Sequence, residues 1–346
     1  MKTRVKVLIA GVGGGGYGVE IMKSLRLSAV PYLILGCDMS KDSFGLFAAD
    51  KGYVIPPADS PGYLKVLLKI CAKERVQVLI PGSDRDLKRI SDNRSVFIEQ
   101  GIFIPINSPE VIDTGLNKMM TMDLLKSKKF MTPKTMVVAA LGQVSRINFM
   151  PAIIKTLAGG GSNNTFIAQD IPELKFFCQY LLKNGQKPVV QEYTGTSSDE
   201  YTVGVLSDQE GKVLSAMGIR RYILSGLSNR MRVRSYFKDE ILAVSSGISQ
   251  GEVVRDPRII DQCVRIAKAI GSRGPLNIQC RLVKGKVCTF EINPRFSGTT
   301  YMRALAGINE PDLMVRKYVL HEKALKVPKP RNGRILRGLA EEFIPL

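Results

Sequence analysis

The sequence has no tryptophan and only one histidine, His321, in 346 residues. A single histidine counts against a zinc site of the usual kind and a Ser-His-Asp triad. His321 follows an apolar helical segment near the C-terminus, and no catalytic role is expected of it. The six cysteines (Cys37, Cys71, Cys178, Cys263, Cys280, Cys288) include no Cys-x-x-Cys pair. Several lie inside apolar runs and read as buried free thiols in a reducing cytoplasm. No apolar stretch approaches the ~20 residues of a membrane helix. The N-terminal run MKTRVKVLIAGVGGGG is interrupted by Lys6 and leads into glycines rather than a cleavage site, so it reads as a first strand and not a signal peptide. Acidic residues are scarce: 50 Lys and Arg stand against 31 Asp and Glu, a formal charge of +19. That balance allows nucleic acid, an anionic small substrate, or simply a solvated basic surface. The lack of tryptophan and of any RNA-binding aromatic motif counts against nucleic acid.

The chain is long enough for two or three cores. Residues 1–112 alternate short apolar runs (VKVLIAG, YLILGCD, VQVLIPGSD, FIPIN) with helical segments, which predicts βαβ units and a parallel sheet. Residues 113–190 open with a helix, NKMMTMDLLKSKKF, and continue through strand-like TMVVAAL and PAIIKTL, a glycine-rich loop and the helix PELKFFCQYLLKNG. Residues 191–346 hold the strand-like runs EYTVGVL, KVLSAMGI, PLNIQCRLV and KVCTFEIN, a long helix DPRIIDQCVRIAKAIG, and a tail with RILRGLAEEFI.

Four stretches carry chemistry. GVGGGGYG, Gly11 to Gly18, contains a G-x-G-x-x-G spacing at Gly11, Gly13 and Gly16, and Asp38 ends the next strand. A dinucleotide site is one reading; a tight strand-to-helix turn is the other. PAIIKTLAGGGSNNT, Pro151 to Thr165, sets Lys155 on a strand before a loop whose backbone N–H groups could wrap a polyphosphate. It is not a Walker A motif. VVQEYTGTSSDEYTVGVL, Val189 to Leu206, runs through Gln191, Glu192, Tyr193 and Thr194 to Glu200, where backbone groups could meet an adenine edge and a carboxylate could accept ribose hydroxyls. GPLNIQCRLVKGKVCTFEINPRF reads as a hairpin with a three-residue loop, Lys284 to Lys286. In that register Ile278, Cys280 and Leu282 face Ile292, Phe290 and Cys288 on one side. The other side pairs Asn277 with Asn293, Gln279 with Glu291 and Arg281 with Thr289. A two-residue loop would mix the two faces. Gln279, Glu291 and Asn293 then converge as hard oxygen ligands suited to Mg²⁺ shared with phosphates, and Arg295 follows to stabilise developing charge.

The order Lys118, Lys155 with its glycine loop, Gln191–Thr194, Glu200, Gln279, Glu291-x-Asn293 and Arg295 resembles the ATP-grasp superfamily, in particular the carbamoyl-phosphate synthase large subunit and related carboxylate–amine ligases. The resemblance covers about residues 1–320. It implies a fold of mixed α/β and α+β class, a Rossmann-like pre-ATP-grasp domain over 1–112 that generally binds no dinucleotide, and a two-lobed ATP-grasp domain with a small lobe at 113–190 and a large lobe at 191–346. It implies that Lys118, Lys155, Gly160, Gly161 and Ser162 contact the nucleotide phosphates, that Gln191 to Thr194 pair with adenine, and that Glu200 binds ribose. It further implies that Gln279, Glu291 and Asn293 hold Mg²⁺, or Mn²⁺ in its place, and that Glu291 and Arg295 act in catalysis. Gln191 departs from the family, which usually has an acid there. The chain also lacks the second half and the further domains of carbamoyl-phosphate synthase.

Between Glu210 and Asp239 there is no acidic residue, but there are five arginines and two lysines in this segment. Arg220 and Arg221 are expected to grip a substrate carboxylate. The expectation is therefore a cytoplasmic ATP-grasp ligase, ADP-forming, with small carboxylate and amine substrates and with homodimerisation compatible. An NAD(P)-dependent oxidoreductase and a basic nucleic-acid-binding module are the alternatives.

Overall fold

The computed structural model describes residues 4–13, 16–157, 164–338 and 344. The N-terminal part contains β1 (Val5–Ala10), α1 (Gly18–Arg26), β2 (Tyr32–Asp38), α2 (Phe44–Ala48), β3 (Lys51–Val54), α3 (Tyr63–Glu74) and β4 (Val78–Pro81). The strands form a parallel sheet in the order β3-β2-β1-β4. A helix between successive strands brings each chain crossing back in the same direction, which is the Rossmann-like pattern expected. Both faces of β1 are covered: Leu8 and Ala10 pack into one core and Val7 and Ile9 into another. FIPIN contributes only a parallel bridge between Val78 and Phe103. Next come α4 (Asp84–Asp92), α5 (Arg94–Ile98), α6 (Pro109–Leu116) and α7 (Lys118–Ser127). Ser83, Ser108 and Asn117 cap α4, α6 and α7 with side-chain oxygens, satisfying backbone N–H groups left open at a helix start.

An antiparallel sheet in the order β5-β8-β6-β7 follows, made of β5 (Thr135–Val137), β6 (Ala152–Thr156), β7 (Phe166–Ala168) and β8 (Pro188–Glu192), and α8 (Ile171–Lys183) packs on it. TMVVAAL yields only the short β5. A six-stranded sheet, β15-β14-β9-β10-β13-β16, is built from β9 (Glu200–Ser207), β10 (Val213–Arg221), β13 (Gly251–Val254), β14 (Pro275–Val283), β15 (Lys286–Asn293) and β16 (Arg334–Ile335). The helix α9 (Pro257–Ala269) presents Ile259, Cys263, Ile266 and Ala267 to it, an apolar stripe at helical spacing. The helices α10 (Thr300–Leu305) and α11 (Glu310–Tyr318) complete this part. A separate ribbon of β11 (Asn229–Arg234) and β12 (Ile241–Ser245) leaves the large sheet, and its Leu242 and Val244 pack against Ile167 and Tyr193. Among the described residues no helix is long and apolar enough to cross a membrane. All six cysteines are buried and unpaired.

The β14–β15 hairpin corrects one expectation. Asn277, Ile278 and Gln279 oppose Asn293, Ile292 and Glu291 as the hydrophobic pattern requires, but Cys280 opposes Thr289 and Arg281 opposes Cys288. The turn has two residues, Lys284 and Gly285, both at positive φ (49° and 75°), the geometry of a tight hairpin turn. Phe290 is the extra residue. The bulge there lets a two-residue turn coexist with the register that the apolar face demands.

The N-terminal part is joined to this hairpin by buried Asn107. Its side-chain N–H groups donate to the carbonyls of Pro275 (2.8 Å) and Pro294 (3.3 Å), and its oxygen accepts from Ser272 (2.9 Å) and the Arg273 amide (2.8 Å). Behind β9, Arg303 and Glu310 form a buried ion pair at 2.8 Å, directly under Gly204. A methyl group on Gly204 would lie inside contact distance of both. Gly204→Ala is expected to destabilise the protein by about 1–3 kcal/mol, as overpacking a closed core does. A lower midpoint in denaturant unfolding checks this.

Candidate functional site

A cavity of about 660 Å³ has walls from the N-terminal part, the β5–β8 sheet, the β11–β12 ribbon and the six-stranded sheet. Its floor is the polar face of β14 and β15. Glu291 is half-buried there, and its Oε1 accepts hydrogen bonds from Gln279 Nε2 (3.3 Å) and Asn293 Nδ2 (2.9 Å). The two amides hand their oxygens to arginines: Arg221 donates to Gln279 Oε1 at 3.3 Å and Arg295 to Asn293 Oδ1 at 3.1 Å. The result is a continuous chain, Arg221–Gln279–Glu291–Asn293–Arg295. Partial burial pushes the Glu291 carboxyl up, but Lys155, Lys118 and the Asn293 hydrogen bond outweigh it and hold the group below the usual carboxylate range.

These residues fit a divalent cation of one kind. A half-turn of the two amides would direct their oxygens towards Glu291, giving a hard oxygen donor set. One carboxylate is too little charge for a free-standing cage, and among the described residues no group of three His, Cys, Asp or Glu side chains could hold a metal ion. The set suits an ion whose remaining ligands are phosphate oxygens.

Lys155 projects from β6 into the cavity and is buried. Its Nζ donates to Gln191 Oε1 at 2.9 Å, and Gln191 Nε2 in turn donates to Thr135 Oγ1 at 3.1 Å. Desolvation lowers the Lys155 ammonium to about 8; Glu291 and Glu200 oppose the shift and Lys118 adds to it. Lys118, at the start of α7, also lines the cavity and is lowered by desolvation. Gln191, Glu192, Tyr193 and Thr194 form one wall at the end of β8. Tyr193 spends its hydroxyl on Ser197 (2.8 Å) and the Ala243 carbonyl (3.2 Å), and its main-chain N–H donates to the Pro151 carbonyl (3.0 Å). Gly160, Gly161 and Ser162 lie outside the described residues; Thr156, Asn164 and Thr165 on either side of them line the cavity.

The structure revises two expectations. Glu200 is 1% exposed, and both its oxygens are taken, Oε1 by Arg221 (3.0 Å) and Oε2 by Arg281 (2.8 Å). Burial pushes its carboxyl up, and Arg281 and Arg221 bring it below the usual range. It is a buried anchor for two arginines rather than an open ribose acceptor. Arg220 and Arg221 do not act as a pair, because neighbours on β10 point to opposite faces. Arg220 turns away to Glu252 (2.9 Å) and does not line the cavity. Arg221 does line it, but donates to Glu200, Ser245, Gln279 and the Ser246 carbonyl. Its remaining Nε is enclosed and has no partner. Neither arginine is free to grip a substrate carboxylate.

Three residues that the sequence reading did not select complete the site. Arg281, stacked over the Tyr193 ring at 4.2 Å, also donates to the Thr194 carbonyl at 3.1 Å and so fixes the end of the β8 wall. Its position on the Gln279 face was visible in the hairpin pattern. Asp84, at the start of α4, accepts from Arg295 Nε at 3.0 Å, and the Tyr17 ring lies 4.4 Å from the same guanidinium. Arg295 also donates to the Phe296 carbonyl at 3.0 Å. One N–H remains on each of its terminal nitrogens. The glycine loop thus serves the cavity by bringing Gly16 and Tyr17 to its wall. Asp38 does not face a ribose site: its Oδ2 accepts from the Gly13 amide (2.6 Å) and its Oδ1 from the Ser40 amide (3.1 Å), which braces the loop.

Residues 189–341 match the family model described as "ATP-grasp in the biosynthetic pathway with Ter operon", and residues 7–105 match the PylC-like N-terminal domain. No curated protein matches the chain in sequence. Among solved structures it is similar to an L-amino acid ligase from Bacillus licheniformis, at 15% identity over 92% of this chain and 75% of that one, with a TM-score of 0.64. It is similar to an N5-carboxyaminoimidazole synthetase from Staphylococcus aureus complexed with ADP, at 14% identity over 91% and 77% of the two chains, with a TM-score of 0.60. A third is the biotin carboxylase domain of a Hydrogenobacter thermophilus 2-oxoglutarate carboxylase with MgADP and bicarbonate, at 17% identity over 92% and 70%, with a TM-score of 0.63. The shared architecture is a Rossmann-like domain followed by a two-lobed ATP-grasp domain.

The Lys155–Gln191 contact yields a prediction. Only the uncharged amine reacts with an acylating reagent, so labelling of Lys155, followed peptide by peptide in a mass spectrometer, should rise with pH around a midpoint of about 8. In Gln191→Glu a carboxylate favours the ammonium form, and the midpoint should move up. An unmoved midpoint would show that this contact does not govern the lysine.

Proposed function

We propose that this chain, an ATP-grasp protein by its fold and its family models, is an ATP- and Mg²⁺-dependent ligase that activates a carboxylate as an acylphosphate and joins it to an amine. The observation that carries the reading is the half-buried Glu291, flanked by two amides and two arginines and faced by two lysines, Lys155 and Lys118, in the same cavity. Cations gathered around one carboxylate in a cavity of this size suit a polyphosphate. The relatives titled with ADP or MgADP support the same ligand class. The working division of the chain is 1–112, 113–190 and 191–346.

In this reading Lys118 and Lys155 bind the nucleotide phosphates, with Gly160, Gly161 and Ser162 in the loop that covers them. Gln191 to Thr194 hold the adenine by their main chain. Gln279, Glu291 and Asn293 hold Mg²⁺, or Mn²⁺ with the same oxygen preference, and the bound ion supplies charge neutralisation across the phosphates. The substrate carboxylate attacks the γ-phosphorus, the bond to the bridging oxygen breaks, and ADP leaves. Arg295 directs its remaining N–H groups at the charge spreading over the transferred group. The amine then attacks the acyl carbon and phosphate leaves. Most of the rate enhancement comes from positioning and fixed charge, as in other phosphoryl transfers. Small-molecule substrates accord with the biosynthetic description of the family model, and a reducing cytoplasm with six unpaired thiols.

Glu291→Ala should lower kcat for ADP release by at least about 100-fold, the scale of losing a directly placed charge, with an unchanged unfolding midpoint. Chelation with EDTA should stop turnover, and added Mg²⁺ should restore it. Near wild-type turnover in the variant, or turnover in EDTA, would refute the assignment.

A further inference from the structure

The turn that follows Arg295 is held from behind by buried Arg303. Ser297 and Thr299, in that turn, line the cavity and are each 4% exposed. Arg303, on α10, is 1% exposed. Its Nε and Nη2 donate to the two oxygens of Glu310 at 2.8 Å each. Its Nη1 donates to Thr299 Oγ1 at 2.6 Å, and both terminal nitrogens reach Ser297 Oγ at 3.4 Å. The backbone of the turn closes on itself: the Thr300 amide donates to the Ser297 carbonyl and the Ser297 amide to Thr300 Oγ1, both at 2.9 Å. Apart from Glu310, the partners of the Arg303 side chain are the hydroxyls of Thr299, Ser297 and Thr300. Ser297 Oγ is ringed by donors, for it also meets the Thr299 amide at 3.2 Å and the Thr299 hydroxyl at 2.9 Å. The short bond from Arg303 occupies the Thr299 oxygen and favours its hydrogen for the contact with Ser297. The Ser297 hydrogen is then left without an acceptor among the described residues, on a side chain that lines the cavity two residues beyond Arg295.

We infer that Arg303 is a positioning residue: acting through Thr299, it turns the Ser297 hydroxyl into a fixed donor to an anionic oxygen held beside Arg295. The inference rests on the ligase reading above and adds to it a neutral donor and the buried group that aims it. A guanidinium at the head of a hydrogen-bond chain polarises the hydroxyls that follow, so Ser297 donates more strongly than an isolated serine would. Glu310 compensates the arginine's charge inside the protein. The chain thus carries a strong donor to the cavity wall without placing a further charge there. The oxygen that Ser297 meets belongs to the substrate carboxylate or to the transferring phosphoryl group. Both stand at Arg295 in this reading, and the two give different kinetics.

The test uses the full chain with Mg-ATP and a mixture of amino acids and simple carboxylic acids, and follows ADP release. Ser297→Ala removes the donor. Arg303→Met combined with Glu310→Met removes the buried pair together, so that no uncompensated charge is left behind, and the denaturant midpoint checks that the protein folds. If this pair does not fold, Thr299→Val takes its place by breaking the chain at its middle link. Ser297→Ala should lower kcat/KM by at least about 10-fold, the scale of losing a hydrogen bond to a charged group. The Arg303–Glu310 variant should lower it by about 5-fold or more, and the triple variant should fall within about 3-fold of Ser297→Ala, because both changes break one chain. Ser297→Thr, which keeps the hydroxyl, should stay within about 3-fold of the wild type. A higher half-saturating acid concentration in Ser297→Ala assigns the contact to the carboxylate; a lower kcat at unchanged half-saturation assigns it to the phosphoryl group. Wild-type activity in Ser297→Ala overturns the inference. So do effects that multiply in the triple variant, which would make Arg303 a residue of the fold alone. A wild type that releases no ADP overturns the ligase reading, and this inference with it.

Discussion

The site depends on the register between β14 and β15. Gln279 can meet Glu291, and Asn277 can meet Asn293, only because the unopposed Phe290 shifts the pairing by one residue from the register set by the tight Lys284–Gly285 turn. A slip by one residue would turn Glu291 into the core and Ile292 into the cavity. The apolar face therefore enforces the polar one. The large core residues Ile278 and Ile292 hold the acid and amides in place, and the bulge absorbs the mismatch with the turn.

Around that floor, charge is arranged so that few groups are left to a ligand by accident. Glu200 pairs with both Arg221 and Arg281, which frees neither arginine for substrate but fixes both walls. Breaking such a buried set would leave an uncompensated charge. The lysines are treated in the opposite way. Lys155 meets an amide at Gln191, and desolvation lowers both Lys155 and Lys118. The N-terminal part contributes through Arg295, held between Asp84 and Tyr17. Its glycine-rich turn, closed by Asp38, has become a support for this contact.

Much of this was legible in the sequence. Alternation along FEINPRF and its partner strand identified which side chains share the floor, because strand periodicity is local and an apolar face fixes register. Lys155 was legible for the same reason. The fold class followed from strands alternating with helices in the first hundred residues. What could not be read was closure across the fold. Asp84 and Arg295 are 211 residues apart, and no local pattern joins them. Arg221 and Glu200 each looked open to a ligand because sequence spacing gives the face of a side chain but not its partner. The loop of the hairpin was misjudged because a bulge trades against turn length, and both solutions satisfy the same apolar pattern. The ribbon β11–β12 carries three exposed arginines and hides its packing role in the residues between them.

The most direct test of the central claim is the identity of the nucleotide product. Purified protein is incubated with Mg-ATP and a mixture of amino acids and small carboxylic acids, and ADP, phosphate and AMP are quantified separately. An acylphosphate ligase releases ADP and phosphate in equal amounts, and only when the mixture is present. Release of AMP and pyrophosphate would mean that the carboxylate attacks the α-phosphorus, and would contradict the account.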